Sequence, residues 1–381
     1  MEQPFSWFVG IDWATEVHQV CLMDAAGRRV WERRVEHTAA AVQAAITAIL
    51  QHTGLEPAAI AVAIETPRGA LVDTVLERGF GVFAINPKQL DRFRDRHTAA
   101  GAKDDRRDAW VLADSVRTDR PAFQRVAVDD PVILQLRELA RAEEDLEQEH
   151  RAVANRLRDQ LYRIAPALVA LCPGADEPWL WTLVELAPTP AEQRALTREQ
   201  VEALLRRHRI RRFTPAHLLE RLRTPGLTLA PGVIEAARAH IRLLVPRVQL
   251  TDHQRTVCVK QTDALLQELR DRPATDAEPG EHRDVTLLES LPGVGRKTII
   301  AMLTDASAAL AQRAYHTLRT RLGAAPVTKA SGKRRLVHMR LACSPRLRAA
   351  AYHWGRVSVQ QDLAGAAYYR RLRARGQTHG C

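Results

Sequence analysis

At 381 residues with 46% hydrophobic content, the chain is too long for one ordinary core and has ample apolar material for two or three. Its 56 Lys and Arg against 45 Asp and Glu leave a formal charge of +11, which favours a polyanionic partner, because phosphates neutralised by basic side chains release condensed counterions. The five cysteines, Cys21, Cys172, Cys258, Cys343 and Cys381, contain no CxxC pair and form no complete disulfide set; with no run approaching the ~18 apolar residues of a membrane span and no leader pattern at the start, a reducing cytoplasm and no membrane partner are expected.

An apolar run from Trp7 to Ile11 ends at Asp12, and alternating segments follow from His18 to Met23 and from Arg28 to Val35. Asp24-Ala25-Ala26-Gly27 reads as the turn joining the latter two into a hairpin. A helical stretch from Thr38 to Leu50 precedes a β-like run from Ile60 to Ile64, a helix near Gly69 to Arg78 and a strand from Val82 to Ile85. Three antiparallel strands followed by helix–strand units predict a mixed α/β sheet covered by helices, occupying residues 1–125.

Residues 126–275 read as all-helical. Leu139, Leu146 and Val153 fall at heptad spacing from Val132 to Ile164, with Leu157, Leu161 and Ile164 continuing the stripe and Glu143 and His150 interrupting it. A packed hairpin within the chain and an intermolecular coiled coil both satisfy this pattern. Thr197 with Gln200 is a capping box, and helices are expected from Pro231 to Val245 and from about Thr251 to Arg270. The polar segment from Asp271 to Asp284, holding Pro273, Pro279 and Gly280, has linker composition, so a last domain is expected over residues 284–381.

Asp12 and Glu65 each stand directly after a strand, and Asp105 and Asp108 are three apart on a helix, hence on one face. Asp104 competes with Asp105, since it too shares a face with Asp108 at i, i+4. Clustered carboxylates repel one another unless hard cations lie between them, so magnesium is the expected cofactor. A pair of such ions stabilises the attacking and leaving oxygens of a phosphodiester displacement. Taken singly, each acid is equally explained as a turn cap or a solvated, ion-paired helix face.

In the rear, Leu291-Pro292-Gly293-Val294-Gly295-Arg296-Lys297 sets two glycines before an apolar helical stretch, as in a helix-hairpin-helix element, where backbone N–H groups hold a phosphate. An ordinary glycine turn between packed helices has the same pattern. The basic stretch Lys329, Lys333, Arg334, Arg335, Arg340, Arg346 and Arg348 surrounds Ser331-Gly332, where adjacent cations would stabilise charge developing on a serine nucleophile. Only six of the basic residues are Lys, which suits bidentate phosphate contacts but equally follows from GC-rich codon usage.

Gly10-Ile11-Asp12, Ile64-Glu65, Lys103-Asp104-Asp105-Arg106-Arg107-Asp108-Ala109, Leu291-Pro292-Gly293-Val294-Gly295 and Ala330-Ser331-Gly332 occur in that order. The set resembles, over nearly the whole chain, the DEDD-type insertion-sequence transposases, bacterial serine-dependent recombinases guided by a bridge RNA. The resemblance implies a RuvC-like (RNase H fold) front domain, a helical coiled-coil region and a rear transposase domain. It further implies Asp12, Glu65, Asp105 and Asp108 as metal ligands and Ser331 as a nucleophile linked covalently to DNA. Gly293, Gly295, Arg296, Lys297, Lys333, Arg334, Arg335, Arg346 and Arg348 would contact nucleic acid, and the implied partners are element and target DNA, a structured guide RNA and further protomers in a dimer or tetramer. The chain departs from the family where Asp104 replaces the usual Thr, where Ala330 replaces a first serine, and at Leu341-Ala342-Cys343. Three other readings compete: a RuvC-like nuclease using water as nucleophile, an actin-fold sugar kinase using Gly10-Ile11-Asp12 for phosphate, and a non-catalytic nucleic-acid-binding protein.

Overall fold

The computed structural model describes residues 5–67, 69–97, 104–126, 130–226, 228–272, 281–332 and 334–378. It divides into two compact units, Met1–Asp129 and Asp130–Cys381.

The front unit is a six-stranded mixed sheet in the order β3-β2-β1-β4-β5-β6. Strands β1 (Trp7–Asp12), β2 (Val17–Asp24) and β3 (Arg29–Glu36) form an antiparallel meander. Its second turn closes through Gly27 at φ +84°, whose N–H donates to the Asp24 carbonyl. Helix α1 (Ala39–Thr53), capped by Thr38, leads to β4 (Ile60–Ile64); α2 (Ala70–Glu77) and β5 (Gly81–Ala84) follow. Both β4 and β5 run parallel to β1, as helical crossovers require. Then come α3 (Pro87–His97), α4 (Asp105–Asp119) and the two-residue edge strand β6 (Gln124–Arg125). The sequence pattern signalled neither α3, whose apolar residues are too few for a stripe, nor β6.

Alternation sorts the sheet residues into two apolar layers. Val9, Ile11, Val20, Leu22, Val62 and Ile64 pack on α1 and α2; Phe8, Met23, Ala61, Ala63 and Phe83 pack on α3 and α4. Helix α4 lies directly on β1 at Gly10: a Cβ there would stand 1.9 Å from the Ala109 carbonyl oxygen.

The second unit is built on two long helices. Helix α5 (Pro131–Ile164) is followed by α6 (Pro166–Leu171), α7 (Pro178–Leu186), α8 (Pro190–Ala195), α9 (Arg198–Arg207) and α10 (Pro215–Arg223), and then by α11 (Pro231–Asp271). His150 meets Thr251 midway along the helices and Asp130 pairs with Arg272 at one end, so α5 and α11 run antiparallel within the chain. The residues that break the α5 stripe are buried but partnered: His150 also meets the Trp181 ring edge-on, and Glu143 receives an arginine. Where the sequence predicted two helices, α11 runs unbroken through Pro246, carried by Ile241, Leu244, Val245 and Val248 in the core.

Helices α12 (Glu281–Glu289), α13 (Arg296–Asp305), α14 (Ser307–Ala311) and α15 (Tyr315–Arg321) precede a hairpin of β7 (Val327–Ser331) and β8 (Arg334–His338); α16 (Pro345–Gln361) and α17 (Leu363–Ala374) complete the unit. Residues 273–280 of the expected linker lie outside the described residues. Among the rear helices, Val285, Leu288, Ile299, Ile300 and Leu347 share a core with Val132, Ile133 and Leu136 of α5 and Leu266 and Leu269 of α11.

Candidate active site

β1 and β4 are parallel neighbours in register, with Ile11 opposite Ile64, so Asp12 and Glu65 are the next residues at adjoining strand ends. Gly10 faces α4, and Ala61 and Ala63 lie in the layer under α3 and α4; two residues further along each strand, alternation carries Asp12 and Glu65 to that same face. Both are half-buried.

The head of α4 supplies the remaining acids. Asp104 is the N-cap, its side chain accepting from the Arg106 N–H, and Asp105 and Asp108 occupy the first turn, where carboxylates also complement the helix dipole. Asp104 is thus engaged by its own helix, while Asp105 is exposed and Asp108 is 1% exposed. Lys103, the first residue of this motif, lies outside the described residues.

Asp108 is held by a residue that no sequence signal picked out. Arg94 of α3 forks onto both carboxylate oxygens, Nε to Oδ1 at 2.6 Å and Nη2 to Oδ2 at 2.8 Å, and reaches Asp91 through Nη1. Burial by itself would lower the Arg94 pKa; Asp108, then Asp91 and Glu65, outweigh it and hold the guanidinium above its ordinary value. Glu65 and Asp108 therefore act on one cation. Among the described residues, no group of three or more His, Cys, Asp or Glu side chains is gathered as a metal site. The donor set is nonetheless of the hard-oxygen kind that suits a divalent cation, and its members share one end and one face of the sheet.

Beside this acidic end, Arg29, Asp104, Arg106, Arg107 and Trp110 line an open cleft of about 330 Å³, where cationic and aromatic side chains together suit a sugar–phosphate strand. On the far face, the turn after Asp12 is pinned by His18, whose Nδ1 accepts from the Ala14 N–H at 3.3 Å and whose Nε2 lies 2.8 Å from Nδ1 of His37. Burial, and then the charge on His37, hold the His18 pKa below its usual value, which preserves Nδ1 as an acceptor.

The second unit distributes its expected site residues differently. Ser331 ends β7 opposite Arg334, at the exposed tip of the hairpin, where Gly332 takes φ +54°. Lys329, Ser331, Arg334 and Leu336 share one face of this ribbon, with Arg335 on the other. Lys333 lies outside the described residues. Burial pushes the thiol of Cys21 up to about 12 and that of Cys172 up to about 11, which makes both poor nucleophiles.

The glycine turn joins α12 to α13, with Gly293 at φ +78° and Gly295 as N-cap. Its Gly293 side is packed on α16: a Cβ there would stand 2.7 Å from the Ser358 nitrogen, and Trp354 and Ser358 donate to the Pro292 carbonyl. Gly295 faces open space. Arg296 is turned inward, forking onto Glu143 at 2.9 and 2.8 Å and also pairing with Asp263 and Thr262; Lys297 reaches Glu147. Arg346 bridges Glu144 and Asp305, and Arg348 donates to the Arg340 carbonyl. Arg296, Lys297 and Arg346 thus tie helices of their own unit together and Arg348 ties α16 to the segment after β8; Arg334 and Arg335 are exposed.

A mixed sheet with carboxylates at its strand ends and an acid-headed helix across it is consistent with an RNase-H-like domain of the DEDD kind. A DEDD transposase family model, described as "Transposase", matches residues 9–166, and one described as "Transposase IS116/IS110/IS902 family" matches residues 285–370. A transposase candidate of Sinorhizobium fredii is 46% identical over 207 residues, covering 54% of this chain and 58% of that relative's length. The mini-circle transposase candidate for IS117 from Streptomyces coelicolor is 32% identical over 388 residues, covering 99% of this chain and 90% of the relative. A protein of insertion element IS116 from Streptomyces clavuligerus is 27% identical, with 98% of this chain covered and 89% of the relative. The chain belongs to the IS110/IS116 family of insertion-sequence transposases. No helix among the described residues is long and apolar enough to cross a membrane.

Proposed function

We propose that the chain cuts and rejoins DNA strands of a mobile element and its target, with Asp12, Glu65, Asp105 and Asp108 holding magnesium and Ser331 as the attacking group. The observation carrying this reading is the register of β1 and β4, which sets Asp12 and Glu65 side by side on the face crossed by the acid-headed α4. Such a carboxylate group would hold the cation and orient the phosphate beside it; when bound, the cation supplies charge stabilisation at the phosphoryl oxygens.

Ser331 Oγ attacks the phosphorus, forming an Oγ–P bond while the bond to the 3′-oxygen breaks; the hydroxyl proton leaves and the departing 3′-oxygen takes one up. The product is a 5′-phosphoserine link and a free 3′-hydroxyl. Arg334, paired with Ser331 across the hairpin, supports charge developing on the phosphate. A structured guide RNA and several protomers complete the assembly in this reading. Both rest on the family resemblance alone.

Cleavage of DNA carrying the flanks of the coding segment tests the carboxylate half. Asp12→Asn is expected to lower divalent-metal-dependent cleavage by about 10³-fold, the size of a lost ligand worth several kcal/mol, while DNA binding persists. Undiminished cleavage by this variant would contradict the assignment.

A further inference from the structure

We propose that Arg94 is a built-in counter-ion for the carboxylate site: its guanidinium holds Asp108 while no divalent cation is bound, and an entering cation displaces it onto Asp91. The inference rests on the metal-binding reading of Asp12, Glu65 and Asp108 given above.

Asp108 is 1% exposed, and a carboxylate so placed is costly without a compensating charge. The compensation in this structure is a two-pronged fork with both oxygens engaged, at 2.6 and 2.8 Å, the geometry of strong guanidinium–carboxylate pairs. A divalent cation competes for those same oxygens and brings twice the charge. The displaced guanidinium has its next partner at hand: Arg94 already contacts Asp91, one turn earlier on α3, whose side chain is 65% exposed. Arg94 itself is 18% exposed on its side chain, so it lies at the rim of the carboxylate group and has a path outward. A guanidinium that stayed in place and merely oriented Asp108 as a ligand would act in the opposite sense, and its removal would weaken metal binding.

Titration of Mn2+ into the full-length protein, followed by calorimetry and by the melting temperature, separates these cases. Arg94→Gln is expected to bind Mn2+ at least about tenfold more tightly than the wild type, because the competing cation is gone. Its metal-free form should melt lower, and Mn2+ should restore more of the loss than it adds to the wild type. Arg94→Lys, which keeps the charge but loses the fork, should fall between the two and stands in if Arg94→Gln does not fold. Affinity unchanged or weakened in the variants overturns the counter-ion role while leaving the metal site intact. Absence of Mn2+ binding by the wild type and by both variants overturns the metal-binding reading itself, and this inference with it.

Discussion

Ser331→Ala should yield no covalent protein–DNA adduct under conditions where the wild type accumulates one, while its DNA binding is retained. The expectation follows from place and chemistry together. Ser331 stands at the exposed tip of the β7–β8 hairpin, and truncating its hydroxyl removes nothing from a core. Arg334 beside it and Lys329 on the same face remain, so electrostatic attraction for phosphate is unchanged. Loss of the adduct without loss of binding therefore reports the missing nucleophile. The measurement is denaturing electrophoresis of end-labelled DNA after incubation with each protein. An adduct undiminished in the variant would assign the attack to another group, and cleavage without any adduct in the wild type would point to water as the nucleophile.

Gly10→Ala is expected to destabilise the front unit by about 3 kcal/mol, the upper range for overpacking a core. The added methyl would stand 1.9 Å from the Ala109 carbonyl oxygen and 2.6 Å from the Ala113 nitrogen, both backbone atoms of α4 that no rotamer change can move. The helix must withdraw from β1, and because Ala109 follows Asp108, the acid moves with it. Activity should fall even where the variant still folds. Gly355→Ala, in the middle of α16 with nothing within 4 Å of the added methyl, is the matching control and is expected to be neutral or to stabilise by up to about 1 kcal/mol. Urea unfolding of the full-length proteins measures both.

The candidate acids were legible because each stands at the boundary of a strong local pattern. The apolar runs before Asp12 and Glu65 are strands in any reading, and three-residue spacing joins Asp105 to Asp108 on a helix whatever surrounds it. The sheet neighbours that bring β1 beside β4 were not legible, since pairing is decided by packing between distant segments. Arg94 escaped notice for the same reason: within α3 it is one charged residue among several, and its partner Asp108 lies on another helix. Arg296 and Lys297 show the converse. In sequence they extend a phosphate-binding pattern, but Glu143 and Glu147, about 150 residues earlier on α5, neutralise them in the fold. Composition marked a domain boundary near residue 280 because the segment is polar and rich in proline. The apolar faces of α12 and α13, beyond that segment, share a core with α5 and α11, a contact that composition does not reveal.

Diffraction from crystals of the full-length protein soaked in Mn2+, with data collected at the manganese absorption edge, locates the bound cation. Anomalous density is expected at the ends of β1 and β4, within coordination distance of Asp12, Glu65 and Asp108, with Arg94 withdrawn from Asp108. Density elsewhere, or three carboxylates still apart around an empty centre at saturating Mn2+, would contradict it.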